Sequence, residues 1–596
     1  MEPELLPPYQ PVGVPMFRKL LLRVANSVRR IAPMQGVVAL PQGARPQRLS
    51  FLFAPATLYG AVAVLAPAFF FLYGLDAFPL RDINEGLYAE IAREMLSSGD
   101  YIVPHLNGVP YIEKPPLLYW LMSLSMAIFG PTAAAARLVS ALSMLSLCVA
   151  LFRFCALRGQ ARLGCHASVI LASALPVALL SHAVLFDPLL TAMLGISLLC
   201  FLHAYLTHSR SALRAATVLL GLATLEKGFV ALVLEVGTLT VFLLLMRDLP
   251  AWKKLIDRTG LGIVAAMLLP WHLAAALKQH GFSWFYFVNE HLLRFTGQRL
   301  PDDFHRGPWW FYLPRLVLLL LPWTPFLLLL VRSSNATAVR NRPIVCFCQA
   351  MILFPLQFFS LSQAKAEYYM LVAAPALALW LAVETGPRLG IDGDRLLAWS
   401  WGAAFATAVL LLVLAGTLGQ WQLKATVIIA LALGWIVLAH VGARGFGKLR
   451  SPLQRELAML VIVLAAGMAL VQACHGVGRR GERDSSFGIA QLILQRAQPA
   501  GQVLIYRDFE DTFSTLPFYL GRTLPVIDSA SRDLLFGCQA STGVSCLTPD
   551  EFRRLHLAGP VAVAVHAQRA SDFLAMAGTQ GWSAARAGEK MVFFHP

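Results

Sequence analysis

Apolar runs of nearly equal length recur along this chain, and no other feature restricts its fold as severely. A hydrocarbon core about 30 Å thick takes roughly 20 apolar residues per helix, and about thirteen runs approach that length. They start near positions 51, 134, 164, 188, 212, 229, 260, 310, 344, 368, 396, 422 and 457. With 57% hydrophobic and 14% charged residues among 596, and a mean hydropathy of +0.62, the chain does not belong with soluble enzymes. It reads as an α-helical polytopic membrane protein.

The basic residues set a topology. Arg158 and Arg162, then Arg210 and Arg214, then the cluster from Arg247 to Arg258, occupy alternate connections. Arg332 to Arg342, Arg388 with Arg395, and Arg444 to Arg455 continue the phase. Short cytoplasmic loops retain such charge, so these are expected inside. The phase holds only if Pro115 to Gly130 is a juxtamembrane helix rather than a span, and an odd number of spans then puts the C-terminus outside. The formal net charge of +16 follows from topology and anionic inner-leaflet lipid, with no need for nucleic acid.

Three regions result. Residues 1–50 form a basic leader, in which FRKLLLRVANSVRRI either lies along the membrane surface or is disordered. The first span is expected to act as an uncleaved signal anchor. Residues 51–475 form the transmembrane domain, with a first external loop at 76–133. Residues 476–596 have the pattern of a small extracytoplasmic α/β domain, with strands expected at Val503 to Tyr506, Leu524 to Ile527, Val561 to Val565 and Met591 to Phe594. In it Cys538 and Cys546 can form a structural disulfide, whereas the other seven cysteines read as small hydrophobes. The run from Arg507 to Asp511 reads as a solvated loop.

A charge at bilayer depth costs at least a few kcal/mol and survives mainly where it lines a polar cavity. Asp187 in LFDPLL, Glu226 and Lys227 in LEKGF, Glu290, His291 and Arg294 in VNEHLLRF, and Lys365, Tyr368 and Tyr369 in AKAEYY all fall at expected external ends of spans. The turn-rich segment from Arg81 to Pro116 adds Asp82, Glu85, Glu113 and Lys114. Chemistry at the outer face on a substrate delivered by lipid needs this one-sided placement. A lipid or solute transporter is the alternative from another class, but it would ordinarily show repeated halves and polar residues near mid-membrane.

NEGLYAEIAREMLSSGDYIVPHLNGVPYIEKP resembles the first external loop of the GT-C glycosyltransferases that modify lipid A with aminoarabinose, relatives of the bacterial protein O-mannosyltransferases. VLFDP, EKGFVAL, WFYFVNEHLLRF, GPWWFYLP ahead of LPW, and SQAKAEYYMLVAAPALAL extend the likeness over roughly residues 80 to 385. The resemblance implies a bacterial inner-membrane enzyme that uses a polyprenyl-phosphate sugar donor and no nucleotide or redox cofactor. It implies transfer at the outer face to a lipid A-like or other glycolipid acceptor, with inversion at the anomeric carbon; the alternative acceptor is a protein hydroxyl.

The residues suit that chemistry. A leaving lipid phosphate needs cations where its charge develops, and Lys114, Lys227, Arg294 and Lys365 are candidates. Tyr368 and His105 are candidate substrate contacts, although His105 could simply hydrogen-bond within a turn. A divalent metal would act on the phosphate as a Lewis acid, and Glu113 with His291 offers ligands suited to zinc. Similar members carry a metal on the Glu of the Glu-Lys-Pro motif, while His291 alone could equally be structural. For base or acceptor-orienting roles the candidates are Asp187, Asp82, Asn84 and Glu85.

One departure matters. Where much of the family begins this loop with Asp-Glu, this chain has Asn84-Glu85, and an amide cannot accept a proton near neutral pH. That favours a phosphate or other pre-activated acceptor, unless Asn84 merely caps a helix beginning at Glu85. Asp187 could likewise be a helix cap. Tyr88, Trp309 and Trp310 are expected to pack or to sit in an interfacial aromatic belt.

Overall fold

The computed structural model describes residues 55–302, 305–391 except 322, 328–329 and 331–340, and 484–596 except 497–500, 541–544 and 557–558. Among these residues six helices are long and apolar enough to cross a membrane: Ala133–Ala156, Phe186–Thr207, Phe229–Met246, Arg258–Lys278, Arg342–Leu361 and Glu367–Thr385. Helices Ala161–Ser173 and Leu175–Ser181, bent by 69° at their junction, make a seventh if counted as one span. The bend falls where Ala174 is extended and Pro176 opens the second helix.

Other expected runs fare differently. The run near 310 breaks into Trp309–Phe311, Tyr312–Leu318 and Thr324–Leu327 among the described residues. Pro308, Pro314, Pro322 and Pro325 punctuate it, and each removes a backbone donor. The run near 212 becomes Arg210–Lys227, with Arg210, Arg214, Glu226 and Lys227 near its ends. The first run forms Pro55–Leu72. The leader and the runs near 396, 422 and 457 lie outside the described residues. Leu117–Phe129 is an apolar helix of 13 residues, too short to span, as the topology required.

Chain direction sorts the ionisable residues between two ends. Helix Phe186–Thr207 carries Asp187 in its first turn, and Arg210–Lys227 returns to finish at Lys227, so acid and amine meet at one end. The turn between these helices and the basic segment from Arg247 to Arg258 meet at the other. Side-chain caps begin two helices: Thr132 accepts from the amide of Ala135, and Ser209 from that of Ala212.

Residues 484–596 form a six-stranded sheet in the order Cys546–Leu547, Val526–Ile527, Gln502–Tyr506, Val561–His566, Lys590–His595, Ser583–Ala587. The first four are parallel, and the last two pair antiparallel. All four expected strands are in it. Cys546–Leu547 and the exposed Ser583–Ala587 lack a strong apolar signature. Cys538 and Cys546 form the expected disulfide. Glu510, from the presumed solvated run, accepts from the amides of Arg532 and Asp533 and so caps helix Arg532–Ala540.

Candidate functional site

Where the first loop meets the ends of the spans, a cavity of about 400 Å³ opens between apolar walls. Phe186, Leu190, Phe229, Val233, Phe287 and Phe358 supply much of the wall. Glu113, Lys114, Asp187, Lys227, Glu290, His291, Arg294, Tyr368 and Tyr369 bring polar groups to it. Segments distant in sequence therefore converge.

Local chemistry fixes the first cluster. Lys227 ends its helix, and Gly228 follows at φ 78°, a conformation that costs a side-chain-bearing residue energy. A Cβ on Gly228 would also strike the His291 ring and Tyr286 Oη. The turn aims Lys227 at Asp187, with Nζ 2.7 Å from each carboxylate oxygen. The ammonium also lies 4.7 Å from the Tyr369 ring centre and 5.8 Å from that of Tyr368, so aromatic faces assist the carboxylate in stabilising it. Asp187 is the second residue of its helix and is bonded to the Lys227 side chain; Leu185 occupies the cap position.

A second cluster centres on Glu290, in the π-helix Trp284–Leu293. One oxygen accepts from Lys114 Nζ at 2.9 Å and Arg294 Nη1 at 3.0 Å; the other meets Arg299 Nε. Arg299 continues to Glu113, with Nη2 2.7 Å from Oε1. Burial would raise the Glu290 pKa, but Lys114, Arg294 and Arg299 overcome it and hold the carboxyl well below the ordinary range. The carboxylate thus gathers the cations and keeps two of them at the cavity wall.

Sequence reasoning missed Arg299. It lies in the polar run GQRLPDD and reads as a loop cation, yet it is fully buried. The available signal was a third cation within reach of Glu290. Tyr88, expected to pack, does so against Phe186 but also lines the cavity. Trp309 and Trp310 are exposed.

His291 donates from Nδ1 to the Tyr286 carbonyl at 2.6 Å and accepts at Nε2 from the amide of Phe229 at 3.1 Å. A ring nitrogen that accepts from an amide carries no proton, and burial, the largest influence on this ring, pushes its pKa below the ordinary value. Glu113 is bonded to Arg299 and accepts from Tyr111 Oη at 3.2 Å. Both residues line the cavity, and among the described residues no group of three or more His, Cys, Asp or Glu is arranged around a metal position. Both His291 ring nitrogens and the Glu113 carboxylate are thus engaged by protein groups, and a cation held here would have only these two as protein donors.

Other candidates are placed elsewhere. Asp82 is buried against the C-terminal domain, bonded to Lys590 Nζ, to Ser486 Oγ at 3.1 Å and to the Thr515 amide at 2.7 Å. Burial raises its pKa and Lys590 pulls it down. Glu85 makes a two-point pair with the fully buried Arg137 at 2.9 and 2.8 Å, and also accepts from the Val184 amide. Neither borders the cavity, and their bonds explain both as structural ties. Asn84 is the first residue of helix Asn84–Ser98, not its cap, and its side-chain Oδ1 accepts from Tyr88 Oη at 3.3 Å. Lys365 donates to the carbonyls of Phe359 and Ser360, both at 2.8 Å, and so finishes helix Arg342–Leu361. His105 stands in a hairpin, 3.9 Å from Asp100, away from the cavity.

Comparison with known proteins gives three kinds of match. The family model described as dolichyl-phosphate-mannose-protein mannosyltransferase matches residues 113–274. An undecaprenyl phosphate-alpha-4-amino-4-deoxy-L-arabinose arabinosyl transferase of Pseudomonas aeruginosa is 32% identical over 412 residues, covering 67% of this chain and 73% of the relative. One from Yersinia enterocolitica is 34% identical over 336 residues, covering 54% and 59%. In fold, the chain is similar to the crystal structure of ArnT from Cupriavidus metallidurans bound to undecaprenyl phosphate, with a TM-score of 0.77 and 24% identity over 90% of this chain and 97% of that one. Against the apo structure of the same protein the TM-score is 0.75.

Proposed function

The chain belongs to the family of undecaprenyl phosphate-alpha-4-amino-4-deoxy-L-arabinose arabinosyl transferases, and we propose that the described cavity is where its transfer reaction occurs. The protein is a membrane glycosyltransferase that takes its sugar from a polyprenyl-phosphate donor. Our finer reading is an amino-pentose moved to a phosphate of a lipid A-type acceptor at the outer face of the inner membrane. The observation carrying it is the placement of Lys114, Lys227 and Arg294 beside Asp187 on a cavity whose walls are largely aromatic and aliphatic.

In this mechanism the isoprenoid lies along the apolar wall and its phosphate turns toward Lys114 and Arg294. Glu290 holds those cations in place before substrate arrives, which limits the reorganisation required. An acceptor oxygen attacks the anomeric carbon, the bond from that carbon to the phosphate oxygen breaks, and its electron pair leaves with the lipid phosphate. The cations stabilise the developing charge. A phosphate acceptor is already anionic and requires positioning rather than deprotonation, which is compatible with Asn84. Asp187, held by Lys227, orients the acceptor, and Tyr88 and Tyr368 border the space for the sugar.

A divalent metal is part of the proposal through Glu113 and His291, whose oxygen and nitrogen donors suit zinc; when bound it would supply Lewis acidity toward phosphate oxygen. His291 would exchange its bond from the Phe229 amide for the metal. Metal analysis of purified protein tests this: near-stoichiometric zinc in the wild type, lost in Glu113→Gln, is expected, and equal metal in both would remove the assignment.

Transfer is tested by incubating the purified protein with undecaprenyl phosphate-linked aminoarabinose and lipid A, followed by mass spectrometry. The expected result is a pentosamine mass on lipid A, abolished by Lys114→Met. The protein-acceptor reading rests on the family model over residues 113–274. Sugar found on secreted proteins, and not on lipid, from cells carrying the gene would favour it.

A further inference from the structure

The end of the bundle remote from the site carries a second cavity, of about 630 Å³, bordered by Tyr205, Arg210, Asp248, Lys253, Lys254 and Ile256. Helix Phe186–Thr207 spans from Asp187 to this end, and its 22 residues rise about 33 Å, close to the hydrocarbon thickness. The second cavity therefore lies at head-group depth of the opposite leaflet.

Its charges are unevenly matched. Asp248 accepts from Tyr205 Oη at 3.0 Å, and Asp257 pairs with Arg214 at 3.6 Å. Arg210, Lys253 and Lys254 are exposed and have no acidic partner among the described residues. The two lysines sit on the short helix Trp252–Leu255, anchored by the buried Ala251 and Leu255. That anchoring holds the ammonium groups at the rim.

Exposed aliphatic side chains lie on either side of the two lysines along the chain, and one of them, Ile256, borders the cavity. Leu249 is 45% exposed, Ile256 57% and Leu261 61%. A soluble anion would make no use of them, whereas a phospholipid sets a phosphate beside acyl chains. Basic pockets between membrane helices suit anionic head groups. We propose that this cavity binds the phosphate of an anionic phospholipid, held by Arg210, Lys253 and Lys254, with its chains along Ile256 and Leu261. The inference does not depend on the reaction at the other end.

Native mass spectrometry of the full-length protein, titrated with phosphatidylglycerol, tests it. Wild type and a Lys253→Arg/Lys254→Arg variant are expected to hold the lipid. Lys253→Gln/Lys254→Gln, which keeps Arg247 and Arg258 in the same connection to preserve topology, is expected to bind roughly thirtyfold more weakly. Millimolar inorganic phosphate should leave the wild-type adduct in place, and phosphatidylcholine should not replace it. Equal retention by a Gln variant that melts like wild type would overturn the proposal. Displacement by inorganic phosphate would also overturn it, in favour of a soluble-anion site, and equal binding of phosphatidylcholine would reduce it to nonselective lipid contact.

Discussion

Replacing Asp187 by Asn, and Lys227 by Met, distinguishes a catalytic pair from a structural one. The ammonium lies 2.7 Å from both oxygens, and the side chains are 14% and 4% exposed for Lys227 and Asp187. At an effective dielectric near 20 the attraction at that distance is about 6 kcal/mol, much of it offset by desolvation. Removing one partner of such a buried pair costs about 3–5 kcal/mol, so both single variants should melt lower than wild type. Kinetics separates their roles. If Asp187 orients the acceptor, Asp187→Asn lowers kcat at saturating donor by about a hundredfold, near 2.7 kcal/mol of barrier, with little change in donor KM. If Lys227 helps bind the lipid phosphate, Lys227→Met raises donor KM. The assay is transfer in proteoliposomes, with product lipid counted by mass spectrometry. A merely structural pair would give both variants one kinetic profile, with the double variant no worse than either. That outcome would refute the assignment.

Asn84→Asp should leave transfer largely unchanged, because the side chain meets Tyr88 Oη outside the cavity; a hundredfold gain in kcat would show that a base had been missing. Glu290 is ionised further into acid when folded than its ordinary value of 4.5 allows, so the stability it contributes is present above that pH and lost as pH falls toward the depressed folded pKa. The melting temperature should therefore drop below about pH 4.5 by more in wild type than in Glu290→Gln, and equal drops would count against the cluster. Cys538→Ser opens a loop with a sequence separation of 8 and should destabilise the C-terminal domain by about 2–3 kcal/mol, read by limited proteolysis with and without reductant. Unchanged cleavage would contradict that.

The membrane class and the short helix Leu117–Phe129 were legible because length and apolar content are local properties. So was the convergence of Glu113, Lys114, Asp187, Lys227 and Arg294, since unusual charges at span ends mark a polar cavity. Less legible was which acid belongs to the cavity and which to the scaffold. Asp82, Glu85 and Glu113 lie in one turn-rich segment and look alike in sequence, yet they meet Lys590, Arg137 and Arg299 respectively. Each partner is distant along the chain, so only tertiary packing distinguishes them. Lys365 illustrates the same limit: its motif places it near the site, while the carbonyls that end its preceding helix claim its ammonium.

The contacts of the first loop bear on what the C-terminal domain contributes. Gly86 sits so close to it that a Cβ would stand 2.6 Å from Ser514 Oγ and 2.8 Å from the Ser514 backbone carbon. Asp82 and Gly86 thus bracket the start of helix Asn84–Ser98, one held by a charge and hydrogen bonds and the other by close approach. Tyr88, half a turn further, is on the cavity wall. The domain therefore sets the position of a wall residue without itself supplying, among the described residues, a side chain to the lining. Gly86→Ala should consequently disturb sugar placement while leaving Lys114 and Arg294 able to bind the lipid phosphate. The expected signature is lower kcat with nearly unchanged affinity for undecaprenyl phosphate; an equal loss of both would mean that the whole loop, rather than the Tyr88 wall, depends on that contact.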